Sequence, residues 1–178
     1  MTTLLYLDQN YLSGMAKRKP AFRELEPVLR AAVARGAVAV PEGPAHRLES
    51  APRPDLRLLE LLGELSGGLR LPEPAAQERS LVRQLASVLA RELPERRARA
   101  SDGNDLETLA LALPHCRLVT CDATMADVVR RSRLDLRFGC ELFTGRRPDV
   151  GRLRERLAEA VEAEAQAAAR AAAAGRQT

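Results

Sequence analysis

Residues Asn104 to Asp127 read NDLETLALALPHCRLVTCDATMAD, and the fold class turns on how this stretch divides. Leu106, Leu109, Ala110 and Leu113 recur at i, i+3, i+4 and i+7, the stripe of an amphipathic helix, and Pro114 ends it. Leu118 and Val119 then open a short β-favouring run that finishes in Thr120, Cys121 and Asp122. The unit is a helix followed by a buried strand. Asp105 stands at the start of the helix and Asp122 just beyond the strand, and ligands of open α/β sheets bind outside the carboxyl ends of strands.

Working outward, Leu4 to Leu7 form a continuous apolar run of the kind found in a strand buried on both faces, and it stops at Asp8-Gln9-Asn10. Tyr11 to Lys17 suits a short helix. Phe22, Leu25, Val28, Leu29, Ala32 and Val33 keep a helical period up to Gly36, a C-terminal cap, and Ala37 to Val40 reads as a second strand. Two strands separated by helix predict a parallel crossover. Pro41, Gly43 and Pro44 turn the chain into a short helical piece carrying His46 and Glu49, which share a face at that spacing. Leucines 56 to 62 and then Ala75 to Leu93 predict two more helices; the basic segment ERRARA at 95–100 reads as a loop or helix end, either a solvated charged face or a strip along a phosphate backbone. Met125, Val128 and Val129 mark a helix, Leu134 to Phe138 a last strand, and Val150 onward a final helix that runs into an Ala-rich tail with little to bury. The expected architecture is a three-layer α/β/α sandwich with a mainly parallel sheet of four to five strands. Residues 1–148 make the domain and 149–178 a C-terminal helix and tail.

A chain of 178 residues, 46% hydrophobic, supports one domain with a sizeable core. Its 28 basic and 24 acidic residues leave +4, almost all of the basic side being arginine, which permits a polyanionic partner without requiring one. Cys116, Cys121 and Cys140 form no CxxC pair and sit in or beside apolar runs, as buried thiols of a reducing compartment do. No signal segment or membrane span is evident, so a cytoplasmic protein is expected. Walker, dinucleotide-binding and Gly-x-Ser-x-Gly motifs are absent from the sequence.

Four acids fall at strand ends or helix starts: Asp8, Glu49, Asp105 and Asp122. If the sheet is parallel they converge, and carboxylates crowded into a low-dielectric cleft raise one another's pKa unless a cation joins them. An all-oxygen donor set favours Mg²⁺ or Mn²⁺ over zinc, and metal-assisted attack of water on a phosphodiester is the natural reaction. Glu42 is the rival second acid. Asn10 either hydrogen-bonds Asp8 or caps the next helix; Thr120 either holds a site carboxylate or simply ends a strand. His46 orients Glu49, contacts phosphate or is structural, and Asp127, five beyond Asp122, supports the site or lies on an exposed helix face.

These residues resemble the PIN-domain nucleases. The likeness rests on YLDQN at Tyr6 to Asn10, on a Glu in the helix after the second strand at Glu49, and on Asp105 with a helix leading into LVTCD at Leu118 to Asp122. It implies Mg²⁺ or Mn²⁺ held by Asp8, Glu49, Asp105 and Asp122, and a metal-dependent endoribonuclease that hydrolyses RNA by a metal-activated water. Gln9 stands where that family often has Thr, and Gly43 where a Ser is common. Beyond RNA, the partners left open are a protein inhibitor or antitoxin and a second copy of the chain in a homodimer. A different class, a catalytically inert PIN-like module that binds RNA or a protein, also accommodates the residues. An aspartyl-phosphate phosphatase does not, since Asn10 occupies the place of its second acid and no lysine follows Lys19.

Overall fold

In a computed structural model, which describes residues 2–92, 94–97, 99 and 101–174, the first strand is covered on both faces. That is why its sequence is apolar throughout instead of alternating. Leu5 of β1 (Thr3–Tyr6) and Leu7 just beyond it join a core with Leu118 and Phe143, packed under α1 (Gln9–Ala16), α2 (Pro20–Ala34), α4 (Leu58–Ser66) and the first turns of α9 (Arg147–Ala174). Tyr6 faces the other way. It joins Val119 and Leu142 in a second core under α5 (Ala76–Glu92), α6 (Asp102–Ala112) and α7 (Ala123–Arg131). Helices on both faces of one sheet make a three-layer α/β/α sandwich.

The four described strands are all parallel, in the order β2 (Val38–Ala39), β1, β3 (Leu118–Thr120), β4 (Glu141–Phe143). Leu5 pairs with Leu118 and Tyr6 with Val119. The connection leaving β1 covers one face and the one leaving β3 covers the other, so the two chains part at the carboxyl ends of adjacent strands and leave a crevice there. Burying each strand leucine or valine is worth roughly 1.5–3 kcal/mol, which keeps charge out of the strands and confines it to their ends.

Gly36 closes α2 with φ of +69°, its N–H donating to the Val33 carbonyl while that of Ala37 reaches Ala32, the αL cap that its sequence position predicts. α3 (Ala45–Ser50) follows β2 through a proline-rich turn. In α9, Val150, Leu153 and Leu157 are buried with α2, whereas the side chains described beyond residue 161 are mostly exposed. No helix among the described residues is long and apolar enough to cross a membrane.

One element differs in kind from expectation. Leu134 to Phe138 is not a strand but a short helix, α8, entered through Arg133 and left through Gly139, both with positive φ. Its alternation of Leu134, Leu136 and Phe138 mimics a strand, but Leu136 is exposed and only Leu134 is fully buried. The fourth strand is the next segment, Glu141–Phe143, whose Leu142 and Phe143 enter opposite cores. Leu93, placed by periodicity at the end of the fifth helix, lies outside the described residues, as do Ala98 and Ala100 of the basic segment and the last four of the tail.

Candidate active site

Asp8 and Asp122 occupy equivalent places one strand apart. Each follows a central parallel strand, and each is the N-cap of the next helix in extended backbone, with φ, ψ of −77°, 169° and −72°, 166°. Asp8 Oδ1 accepts from the Tyr11 N–H at 3.2 Å and Asp122 Oδ1 from the Met125 N–H at 2.7 Å. Capping and a site role therefore do not compete here, because the cap takes only Oδ1 of each carboxylate. Asn10 Nδ2 donates to Asp8 Oδ2 at 3.0 Å, and the backbone N–H of Asp8 donates to Thr120 Oγ1 at 2.6 Å. Asn10 caps nothing; it holds Asp8.

Glu49 and Asp105 reach the same place from other elements. Glu49 lies on α3, which is tied to α1 because Gln9 Nε2 donates to the Glu49 carbonyl at 3.1 Å. Asp105 lies in the first turn of α6, where the helix dipole favours an anion. All four carboxylates line one cavity of about 300 Å³, with Tyr6, Ser101, Thr120 and Cys121 in its walls and Arg99 among its lining residues.

Crowding and burial are felt as raised proton affinity. Burial pushes the Asp8 carboxyl up to about 6, with Asp105 and Asp122 adding repulsion and the bonds from Tyr11 and Asn10 opposing it. Burial, then Asp105 and Asp8, push Glu49 up to about 7. Asp105 is raised by burial and by Asp122, against a hydrogen bond from Ser101. The acids share a cavity rather than a closed cage: among the described residues, no three His, Cys, Asp or Glu side chains are gathered so as to hold a metal ion as they stand. No family model, curated protein or solved structure matches this chain.

Two sequence expectations are corrected and one alternative is settled. His46 does not face the acids; it is fully buried, stacked on Tyr6 with ring centroids 5.1 Å apart. Its Nδ1 accepts from the Gly43 N–H at 2.8 Å, so Nε2 carries the proton and donates to the Leu7 carbonyl at 2.7 Å, and burial lowers its pKa. A neutral core histidine results. Asp127 does not support the site either, because α7 turns it outward to pair with Arg131 at 2.7 Å. Glu42 pairs with Arg47 and Arg70 outside the cavity, which leaves Glu49 as the acid from this region.

Gln9, Tyr6, Ser101 and Arg99 border the cavity without having been singled out for it. For Gln9 the signals were adjacency to Asp8 and its place within the YLDQN stretch. For Arg99 it was the basic segment before α6, whose orientation depends on tertiary packing.

Proposed function

We propose that the protein is a Mg²⁺- or Mn²⁺-dependent endoribonuclease of the PIN-like type. The observation that carries this reading is the convergence of Asp8, Glu49, Asp105 and Asp122, from four separate parts of the chain, on one cavity at the carboxyl ends of β1 and β3. The donor set suits such an ion: four carboxylates and no imidazole, with the Cys121 thiol buried and held well above its ordinary pKa. The open spacing of the acids is compatible with it, because Mg²⁺ usually keeps several waters and takes only one or two carboxylates directly, with substrate phosphates completing the shell.

Bound there, the ion would lower the pKa of water and neutralise charge developing on the attacked phosphate. The chain's own groups supply position. Asp8 and Asp122 are fixed by their caps, Asn10 holds the outer oxygen of Asp8, and Gln9 sets the height of α3 and so of Glu49. In this reading a water oxygen would form the new bond to phosphorus as the bond from phosphorus to the leaving ribose oxygen breaks. RNA as substrate rests on the resemblance of YLDQN and LVTCD to the PIN family and on the arginine-rich composition.

The test is cleavage of mixed RNA oligonucleotides with Mn²⁺, with EDTA, and by Asp8→Asn and Asp105→Asn variants. Cutting that depends on Mn²⁺ and is lost in both variants is expected; cutting that survives EDTA or both substitutions removes the proposal. The absence of a ready three-residue cage among the described residues favours one rival, an inert module of the same fold. That rival is recognised by failure of Mn²⁺ to bind at these carboxylates.

A further inference from the structure

Among the described residues that line the cavity, Arg99 is the one basic residue. Its Nη1 lies 3.7 Å from Asp122 Oδ2, the oxygen not used for capping α7. The segment that carries it is anchored. Arg96 grips Asp102 with both guanidinium nitrogens, at 2.6 and 2.7 Å, in a pair whose side chains are only 15% and 11% exposed. Asp102 Oδ2 also accepts the Arg99 N–H at 2.8 Å, and the Asp102 N–H returns a bond to the Arg99 carbonyl at 3.1 Å. The backbone of Arg99 is thereby pinned to the start of α6, one turn from Asp105, whereas its side chain remains 64% exposed.

An exposed ion pair of this kind contributes about 0–1 kcal/mol at best, so Asp122 holds the Arg99 guanidinium only weakly. At 3.7 Å the contact with Asp122 is loose, and a guanidinium offers a planar fork of donors matched to phosphate oxygens. We infer that Arg99 is the phosphate-contacting residue of this site: it rests on Asp122 in the free protein and moves to a backbone phosphate of the bound RNA strand. The inference rests on the nuclease reading and adds to it a residue that binds substrate rather than metal. Asp102, buried and held ionised at a pKa of about 2 by Arg96, is then a positioning residue for Arg99.

The experiment is binding of a short fluorescein-labelled single-stranded RNA in EDTA, followed by anisotropy across a KCl series, for the wild-type chain, Arg99→Gln, Arg99→Lys and Arg97→Gln. Arg97 carries the same charge two residues away, is exposed, and does not line the cavity. Arg99→Gln is expected to flatten the slope of log affinity against log salt by about 0.7, one phosphate contact on a single strand, with Arg99→Lys restoring it. Arg97→Gln should leave the slope closer to wild type. An unchanged slope in Arg99→Gln, or an equal change in Arg97→Gln, overturns the inference. Cleavage by the wild-type chain in EDTA, or none in Mn²⁺, defeats the nuclease reading instead, and a wild-type chain that binds no RNA defeats both. Since the Arg99 side chain is exposed, thermal melts of its variants should match wild type, which separates loss of contact from loss of fold.

Discussion

The backbone N–H of Asp8 donates to the Thr120 hydroxyl at 2.6 Å, a side-chain bond that continues the β1–β3 pairing beyond its last ladder rung. Thr120 is fully buried, so Thr120→Val leaves that N–H without a partner while keeping the shape of the side chain. We expect a loss of about 1–3 kcal/mol in urea titration, together with reduced cleavage because Asp8 is no longer held in place. Thr120→Ser should recover both. Full stability and activity in the valine variant would show that the bond does not position Asp8.

Asp105→Asn should separate stability from activity. Its carboxyl is raised by burial and by Asp122, so neutralising it removes a desolvated charge and relieves repulsion in the metal-free protein. Calorimetry in EDTA should therefore show a melting temperature at or above wild type. RNA cleavage in Mn²⁺ should fall at least about 100-fold, more than loss of a supporting partner usually costs. A variant that melts early, or that still cuts, contradicts the assignment.

The raised acids also set a pH dependence. Asp8 and Glu49 bind protons more tightly folded than unfolded, at about 6 and about 7 against ordinary values of 3.8 and 4.5. Between those limits the native state holds more protons than the unfolded state, so stability in EDTA falls as pH rises from about 4 to 7 and levels off above. Asp8 accounts for up to about 3 kcal/mol of this and the partly exposed Glu49 for less, because water screens it. With about 2–4 °C per kcal/mol, differential scanning fluorimetry should show a drop of several degrees across that range. Mn²⁺ at neutral pH should reverse it. A flat profile would mean that burial does not raise the Asp8 and Glu49 carboxyls.

His46→Ala tests whether this ring serves the core rather than the site. It removes a ring stacked on Tyr6 and strands the Gly43 N–H and Leu7 carbonyl, a cost of about 2–5 kcal/mol in denaturant titration. Activity per folded molecule, measured at low temperature, should change far less than in Asp8→Asn. Activity that disappears while the fold melts normally would return His46 to the site.

Legibility tracked the range of the interactions involved. The β1 run, the stripe of α6 and the Gly36 cap are local patterns, and each appears where its period or backbone demand puts it. Asp8 and Asp122 were legible for the same reason, since an acid directly after a buried strand announces the strand's end. Leu134 to Phe138 was misread because five residues alternating in polarity fit a strand or a helical turn, and only pairing with β3 chooses Glu141–Phe143 instead. Asp127 and Asp122 look alike in sequence; the rotation of α7 on its core separates one from the other.

Hydrophobic periodicity and the acids that punctuate it are properties of the chain itself, and they were enough to specify a parallel α/β sandwich with carboxylates at its strand ends. Which of those acids share a cavity, that His46 faces inward, and that Arg99 reaches Asp122 were decided by strand order and by the packing of α3 and α6. The physical reason is that periodicity is set by neighbours along the backbone, whereas a site is assembled by contacts between residues about a hundred positions apart, as Asp8 and Thr120 are.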